Sequence, residues 1–324
     1  MIQCRKSYGG LVLSTKKLLA LDLGGTFFKY ALVSDDGTLS EKGKVPTPQY
    51  PKSTKDDFFT AIDSIVSPVR DLISGIAVSA PGILDDTDGF MHTAGALMYL
   101  QGTALGTALS ERYSLPVSVE NDGKCAALAE YRSGALKGCK NCAVLILGTG
   151  IGGGLIIDGK LHRGKHGSAG EYSFVMENPR TAIAENGGAT WAGSCGNAPF
   201  LELVASKTGE KAEDLNGEII FARAEKGEKA VVDAVHEFTR ALAGHLFNLN
   251  MLLDLDAIAI GGGISASNLL IEYLKNDIDE IMNIAPALYM NGGLPKPVVT
   301  VCAYRADANL LGAYYHYCAQ IEQK

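Results

Sequence analysis

Two stretches of the chain share one layout: LLALDLGGTFFKYALVSDDGTL, from Leu18 to Leu39, and AVLILGTGIGGGLIIDGKL, from Ala143 to Leu161. Each reads as an apolar strand, a turn rich in Gly and Thr, a second apolar strand and an Asp-Gly turn. Apolar runs around such turns predict a β-hairpin. Because the pattern occurs twice, the sequence predicts an internal repeat, with one hairpin in each of two similar halves.

Alternating helix-like and strand-like segments follow each hairpin. The strand-like segments are GIAVSA (75–80), PVSVE (116–120), AIAI (257–260) and VVTVC (298–302). This alternation is typical of a largely parallel sheet covered by helices, so the expected fold class is α/β. We expect an N-terminal lobe over 17–121, a larger C-terminal lobe over 122–307, and a last helix over 308–324 that packs back on the first lobe. Ligands of such sheets bind beyond the strand ends, so both glycine turns are expected to face one cleft.

The composition indicates a globular protein with small-molecule partners. The chain has 324 residues, of which 47% are apolar, and a formal net charge of -7. Binding nucleic acid or an anionic membrane over a broad face needs clustered positive charge, so neither partner is expected. No run approaches the roughly 20 apolar residues that span a bilayer, and residues 1–15 mix charge with glycine where a signal peptide would be apolar. The sequence therefore predicts a cytoplasmic protein.

Two phosphate-binding patterns overlap the second hairpin but do not fit it. Residues 148–153 match Gly-x-Gly-x-x-Gly, yet that dinucleotide fingerprint needs a helix after the turn, and the residues that follow read as a strand. Residues 154–160 match most of a Walker A loop, yet Leu161 replaces the Ser or Thr that would hold magnesium. Cys139 and Cys142 form a lone Cys-x-x-Cys pair without the further ligands of a metal site.

The glycine turns themselves suit phosphate binding, because a turn without side chains lets backbone N–H groups approach phosphate oxygens. Two such turns can hold one triphosphate. The residues expected at the phosphates are Gly24, Gly25, Thr26 and Lys29 of the first turn and Gly148, Thr149 and Gly150 of the second. Asp22 precedes the first turn and is expected to orient hydrated Mg²⁺, a cation usually bound through one or two carboxylates plus waters. The alternative is a plain glycine hairpin with a surface lysine.

A third segment, PVSVENDGKCAALAEYRSG (116–134), places acidic residues at a strand-to-helix junction. Asp122 falls where the predicted strand ends and an Ala-rich helix begins. A helix cap is the commonest reason for Asn or Asp at such a position. A strand end in a cleft is also where a general base must lie to accept a hydroxyl proton. Asp122 is compatible with both roles.

Several motifs together resemble the ROK family of bacterial sugar kinases and sugar-responsive repressors, from about Lys17 onward. They are DLGGTFFK (22–29), VENDGKCAALAE (119–130), LGTGIGGG (147–154), GKHGSAGE (164–171), AIGGGIS (259–265) and RADANLLGA (305–313). The resemblance implies two actin-like (ribonuclease H-like) lobes with a nucleotide and sugar cleft between them. It also implies a sugar kinase that uses ATP and Mg²⁺, and a homodimer. Residues 1–16 precede the family's usual beginning and are expected to form a tail.

The resemblance implies roles residue by residue. Asp122 would deprotonate the hydroxyl that attacks the γ-phosphate, while Asn121 and Glu171 would hydrogen-bond sugar hydroxyls. Gly82 and Glu202 complete the expected sugar-binding set. The residues expected beneath the nucleotide, where a side chain would clash, are Gly261, Gly262 and Gly263.

The chain departs from the family pattern at the usual zinc site. Phe174 stands three residues after Glu171, where family kinases usually carry a His that serves both sugar and zinc. Of the zinc cysteines only Cys195 aligns, because Gly193 and Phe200 occupy other expected positions. One thiolate cannot hold a structural zinc that normally needs four ligands, so no zinc is expected.

Phe174 also bears on the choice of sugar. An aromatic ring near the anomeric oxygen predicts a preference for sugars substituted at C1, such as a β-glucoside or a disaccharide, with transfer to the 6-hydroxyl of a glucose unit. The alternatives for the activity are a glucokinase or an N-acetylhexosamine kinase. The alternative for Phe174 itself is core packing after loss of the zinc, without a role in the choice of sugar. Trp191 is expected either to line the sugar pocket or to fill the core.

An alternative of another class is a sugar-sensing regulator of the family without its DNA-binding domain. Family repressors carry a helix-turn-helix before the first phosphate motif, and the roughly seventeen residues that precede LLALD are too few for such a domain. A third possibility, a catalytically dead sugar-binding protein, is disfavoured because Asp22, Asp122 and both glycine turns are intact.

Overall fold

The computed structural model describes residues 16–178, 190–289 and 294–322, which fall into two compact units. The first unit lies within Met1–Arg132, Arg163–Ala169 and Ala306–Lys324, and the second within Ser133–His162 and Gly170–Arg305. The lobe boundaries expected from the sequence stay a prediction. The tail expected over 1–16 lies outside the described residues except for Lys16.

Strands and helices alternate along most of the described chain. The strands are β1 (Lys17–Leu23), β2 (Phe27–Val33), β3 (Leu39–Pro46), β4 (Ile73–Ala80), β5 (Val117–Asn121), β6 (Cys142–Leu147), β7 (Ile151–Ile157), β8 (Lys160–His162), β9 (Ala257–Gly262) and β10 (Val299–Val301). The α-helices are α1 (Lys55–Val66), α2 (Leu105–Tyr113), α3 (Asp122–Ser133), α4 (Trp191–Cys195), α5 (Asn197–Thr208), α6 (Gly217–Glu225), α7 (Lys229–Leu253), α8 (Asn268–Tyr289) and α9 (Ala308–Glu322). Within the described ranges, no helix has the length and apolar character needed to cross a bilayer.

The first unit is built on a five-stranded sheet in the order β3-β2-β1-β4-β5. Strands β1, β2 and β3 form an antiparallel meander, whereas β1, β4 and β5 run parallel. The register pairs Asp22 with Ser79, and Ser79 with Glu120. The carboxyl ends of the three parallel strands therefore meet at one edge, the edge where ligands of such sheets bind.

Both faces of this sheet are buried at β1, which explains the nearly continuous apolar run of that strand. Side chains alternate across a strand, so Leu19 and Leu21 pack on one face with side chains of α1 and α2. Leu18 and Ala20 point to the other face and pack with Tyr314 and other side chains of α9. Helix α9 thus covers the face to which Asp22 belongs.

The second unit repeats this arrangement. Its sheet has the order β8-β7-β6-β9-β10, with β6, β7 and β8 antiparallel and β6, β9 and β10 parallel. Side chains of α5 to α8 form a core with this sheet. The matching strand order confirms the predicted internal repeat. The residues after the 148–153 pattern lie in β7 rather than in a helix, which confirms the rejection of a Rossmann turn.

Candidate active site

Asp22 lies near the end of β1 at the carboxyl edge of the first sheet and is 5% exposed. Its Oδ1 accepts hydrogen bonds from Asn309 Nδ2 at 3.0 Å and from Ser79 Oγ at 3.3 Å. Its Oδ2 lies 3.6 Å from Lys29 Nζ. Because a buried charge without partners is costly, these contacts stabilise the carboxylate and fix its orientation at the edge.

The first glycine turn follows Asp22 and is held through its carbonyl oxygens. Thr47 Oγ1 donates to the carbonyl oxygen of Gly24 at 2.6 Å, and its backbone N–H donates to that of Thr26 at 3.0 Å. Gln49 Nε2 donates to the carbonyl oxygen of Gly25 at 3.0 Å. A side chain at either glycine would crowd neighbouring atoms at 3.0 Å or less. The sequence did not point to Thr47 and Gln49, which follow β3.

Asn121 ends β5, and Asp122 begins α3 at the same edge of the sheet. Asn121 Oδ1 accepts a hydrogen bond from the backbone N–H of Lys124 at 3.0 Å, so Asn121 caps the helix. Its Nδ2 donates to the carbonyl oxygen of Gly82 at 2.9 Å. Asp122 is half-buried, and its Oδ1 accepts a hydrogen bond from the next backbone N–H at 2.8 Å. The side chain that accepts the capping hydrogen bond from Lys124 is therefore that of Asn121, one residue before the predicted base.

Gly82 can be no other residue without distortion of the loop. Its φ of 97° lies in the left-handed region, and a Cβ would lie 2.1 Å from the carbonyl oxygen of Thr93. This backbone conformation presents the Gly82 carbonyl oxygen to Asn121, whose amide is thereby held at both ends.

The second glycine turn joins β6 to β7 in the second unit. The backbone N–H of Gly148 donates to the carbonyl oxygen of Gly150 at 2.9 Å, and that of Asn197 donates to the carbonyl oxygen of Gly148 at 2.8 Å. Ser173 Oγ accepts a backbone hydrogen bond from β7 at 2.8 Å and would lie 2.6 Å from a Cβ at Gly150. Thr149 stands between the two glycines at the tip of this tightly packed turn.

A cavity of about 460 Å³ opens beside the second turn. Its walls are formed by Leu147, Gly148, Thr149, Asn197, Asn216, Gly217, Glu218, Gly263 and Ile264. It lies at the carboxyl ends of the parallel strands β6 and β9, where Leu147 pairs with Gly262. The cavity therefore occupies the position that a ligand of a parallel sheet usually takes.

The three glycines expected beneath a nucleotide differ in their surroundings. Gly263 lines the cavity, and a Cβ there would meet no atom within 4 Å. A Cβ at Gly261 would lie 2.6 Å from Cδ1 of Ile146, and one at Gly262 would lie 2.1 Å from the carbonyl oxygen of Leu147. Packing against β6 therefore explains the missing side chains at Gly261 and Gly262, while Gly263 borders the cavity.

Asn216, Gly217 and Glu218 border the cavity although the sequence pattern did not point to them. Asn216 Oδ1 accepts a hydrogen bond from the backbone N–H of Ile219 at 2.9 Å and caps α6. An Asn before a helix-like segment is the signal that could have located this helix start.

Glu171 precedes a single turn of 3-10 helix, and Phe174 is the last residue of that turn. Tyr172 anchors this turn, because its buried ring stacks on that of Trp191 with 5.9 Å between the centroids. Trp191 is itself buried, so it fills the core. Phe174 is 72% exposed, and the alternative that it only packs in the core is therefore wrong for the described structure.

The residues at the family's usual zinc positions have other surroundings. Cys195 lies in α4, and burial raises the pKa of its thiol to about 12. The ring of Phe200 packs in the core, 4.6 Å from that of Phe238 between centroids. Glu202 lies exposed on α5. Among the described residues, no cluster of three His, Cys, Asp or Glu side chains could hold a metal ion. The absence of zinc stays a prediction.

The sequence model of the ROK family matches residues 18–317 of this chain. The chain belongs to the ROK family. A β-glucoside kinase of Listeria monocytogenes is 30% identical over 301 residues, which cover 93% of this chain and 97% of that protein. A solved ROK family protein from Streptococcus pneumoniae in complex with sucrose is 31% identical, with a TM-score of 0.83 over 95% of this chain and 100% of the other. A ROK family glucokinase from Streptomyces griseus, solved with glucose and AMPPNP, is 25% identical, with a TM-score of 0.75 over 95% and 100% of the two chains.

These matches confirm that the chain is an ATP-dependent sugar kinase of the ROK family, with a place in carbohydrate metabolism. The two mixed five-stranded sheets match those of solved ROK kinases, which confirms the predicted actin-like fold class. The relatives are named for, or solved with, different sugars, so similarity alone does not select the sugar of this ROK kinase.

Proposed function

We propose that this ROK kinase transfers the γ-phosphate of ATP to the 6-hydroxyl of a glucose unit that carries a C1 substituent, as in a β-glucoside or a disaccharide. The exposed ring of Phe174, close in sequence to Glu171, supports this choice. An exposed aromatic ring offers an apolar face against which a second sugar or an aglycone can pack. The β-glucoside kinase and the sucrose-bound structure support the same class of acceptor.

The chemistry rests on one observation, the position of the Asp122 carboxylate at the junction of β5 and α3. Asp122 acts as the general base: it accepts the proton of the 6-hydroxyl as that oxygen bonds to the γ-phosphorus and ADP departs. Asn121 is held at both ends of its amide and retains one N–H and one oxygen lone pair for a sugar hydroxyl. Glu171 accepts hydrogen bonds from other sugar hydroxyls, and Glu202 completes the set.

Asp22 is the residue that would hold Mg²⁺. A single carboxylate with waters and phosphate oxygens is a usual ligand set for this cation, and Asn309 and Ser79 hold the Asp22 carboxylate in one orientation. Bound Mg²⁺ supplies charge neutralisation on the phosphates. Lys29 lies beside Asp22 and contributes a further positive charge.

The nucleotide is proposed to bind through backbone groups more than through side chains. In the first glycine turn (Gly24–Thr26) and the second (Gly148–Gly150), the N–H groups of Gly24 and Gly148 donate to the carbonyl oxygens of Asp22 and Gly150. The other backbone N–H groups of the two turns donate to phosphate oxygens. The cavity beside Gly263 has a volume of about 460 Å³ and takes the adenosine.

An ATP-consumption assay over glucose, mannose, fructose, N-acetylhexosamines, cellobiose and gentiobiose tests the proposal. We expect a higher kcat/KM on cellobiose or gentiobiose than on glucose. Asp122→Asn should lower kcat by about 100- to 10,000-fold, because a carboxamide cannot accept the proton. Undiminished turnover by folded Asp122→Asn would refute the role of Asp122 as general base.

A higher kcat/KM on glucose would refute the C1 preference and favour the glucokinase alternative. The glucose complex of the Streptomyces griseus relative is the observation that supports this second candidate.

A further inference from the structure

Glu120 is a buried carboxylate directly before the proposed sugar-binding and base residues. It is 1% exposed and lies at the end of β5. Its Oε1 accepts a hydrogen bond from the backbone N–H of Asn121 at 2.8 Å. Its Oε2 accepts a hydrogen bond from Arg163 Nε at 2.7 Å and lies 2.6 Å from a terminal guanidinium nitrogen of the same residue in an ion pair. One carboxylate thus connects Arg163 to the backbone that leads into Asp122.

The Arg163 guanidinium has further partners in the same unit. One terminal nitrogen contacts Nδ1 of the buried His316 of α9 at 3.0 Å. The other lies 3.7 Å from Oδ2 of Asp86, in the loop that follows β4. His316 Nδ1 also lies 3.7 Å from Oε2 of Glu120. Arg163 therefore contacts three separate segments around the end of β5.

The backbone around Arg163 is itself fixed. The N–H of Ala169 donates to the carbonyl oxygen of Arg163 at 3.0 Å and closes a loop over 163–169. Gly167 has a φ of 70°, and a Cβ there would lie 2.8 Å from the carbonyl oxygen of Leu84, so the loop packs closely on the segment after β4. The Arg163 guanidinium therefore reaches Glu120 from a loop whose backbone is held by a hydrogen bond and by close packing.

We propose that Arg163 is a positioning residue for the phosphoryl transfer, acting through Glu120 on Asn121 and Asp122; this inference rests on the proposed function. A planar guanidinium reaches the carboxylate with two nitrogens and the imidazole with a third contact, a geometry that the single ammonium of Lys cannot reproduce. Loss of the Arg163 contacts would leave the buried Glu120 carboxylate without its charged partner. That carboxylate accepts the hydrogen bond that holds the backbone N–H of Asn121, so Asn121 and Asp122 would shift with it. A shift of about 1 Å at a reacting group costs up to about 100-fold in rate.

The test compares Arg163→Lys and Glu120→Gln with a matched control, Arg112→Lys. Arg112 of α2 also contacts one carboxylate with two guanidinium nitrogens. Its partner is Asp63 of α1, which lies in the same unit. We expect Arg163→Lys and Glu120→Gln each to lower kcat on the best sugar by about 10- to 100-fold. The KM for ATP should stay within about twofold, because the first glycine turn and the cavity do not depend on this pair.

A double variant separates positioning from general destabilisation. Because the two residues act as one unit, Arg163→Lys with Glu120→Gln should lose no more kcat than the more impaired single variant, whereas independent damage would multiply. Rates are measured at a temperature at which circular dichroism shows each protein folded. If Arg163→Lys does not fold, the nearly isosteric Glu120→Gln decides alone.

Three outcomes overturn the inference. The first is a kcat of folded Arg163→Lys, or of Glu120→Gln, that equals that of Arg112→Lys. The second is a multiplicative loss in the double variant. The third is full turnover by Asp122→Asn in the same series. That result would show that Asp122 is not the general base, so that no residue would be needed to position it. An inactive Asp122→Asn beside a fully active Arg163→Lys removes only the positioning role and leaves the proposed function intact.

Discussion

At the scale of single residues, the carboxylates of Asp22 and Asp122 at the edge of the first sheet have different surroundings. Asp22 is almost fully buried and is held by two side-chain donors, an arrangement that suits a metal ligand, because outer partners fix its orientation. Asp122 is half-buried at a helix start, where an acceptor hydroxyl can approach it. The different burial of the two groups thus matches the different roles proposed for them.

Phe174→His tests the choice of sugar at one position. The variant should lower the ratio of kcat/KM on gentiobiose to that on glucose by about three- to tenfold, because aromatic contacts contribute about 0.5–1.5 kcal/mol beyond area burial. Initial rates with the two sugars give the ratio. Met176→His changes another exposed apolar residue of the same segment and serves as control. Equal ratios in wild type and Phe174→His would argue against stacking on the ring.

At the scale of elements, helix α9 completes the first unit. A Cβ at Gly75 of β4 would lie 2.1 Å from the hydroxyl of Tyr317, and one at Gly312 would lie 1.8 Å from the carbonyl oxygen of Cys125 in α3. These glycines let α9 pack closely on the sheet and on α3. The helix then supplies Asn309 to the carboxylate of Asp22. Sequence spacing alone does not reveal such a contribution, because the partners lie far apart in the chain.

The buried His316 of α9 makes the stability of the folded protein depend on pH. Burial is the main cause that lowers the pKa of His316 below its ordinary value of 6.5; Glu120 opposes this shift and Arg163 adds to it. As the pH falls below about 6.5, the unfolded chain takes up a proton that the folded protein does not. Stability therefore decreases from that pH down to the lowered pKa. The Tm at pH 5.5 should lie below the Tm at pH 7.5, and His316→Gln should reduce this difference.

A control and a second histidine complete this measurement. His162→Gln, at an exposed position, should leave the Tm difference unchanged. Burial also lowers the pKa of His245, so part of the difference should persist in His316→Gln. If His316→Gln showed the full wild-type difference, the buried imidazole would not be its source.

At the scale of the whole molecule, the second unit has aromatic packing around Phe200, which the family resemblance places at a usual zinc-ligand position. The ring of Phe200 lies 5.8 Å from that of Phe221 and 4.6 Å from that of Phe238. Because apolar packing needs no metal, purified protein should contain well below one zinc per chain, and a chelator should leave its Tm unchanged. Metal analysis and thermal unfolding check this. Stoichiometric zinc, or a Tm that falls with chelator, would refute it.

The sequence predicted the elements whose side chains carry a clear pattern. The hairpins and the parallel strands were predicted because apolar runs between turns mark them. Strand β3 was missed because LSEKGKVP is mostly polar and forms an exposed sheet edge without an apolar stripe. Thr47 and Gln49 were missed for a related reason. They follow β3, and the pairing of β3 with β2 brings them to the glycine turn from more than twenty residues away.

The glycine run shows a further limit of sequence reasoning. A run of three glycines predicts a backbone that neighbouring groups can approach closely. It does not tell whether those neighbours are other protein atoms or a ligand. Gly261 lies against Ile146 and Cys302, whereas Gly263 borders the cavity. The same residue type therefore serves strand packing at one position and lines a ligand-sized space two residues later.

The division of the first unit among three chain segments has a consequence for biosynthesis. The ribosome makes β1 to β5 first, but the helix that covers one face of their sheet follows only after Arg305, when every segment of the second unit has been made. Until α9 emerges, the nascent first sheet exposes the apolar side chains of Leu18 and Ala20 and lacks the Asn309 partner of Asp22. The second unit can therefore finish folding before the first, the reverse of the usual N-to-C order during translation.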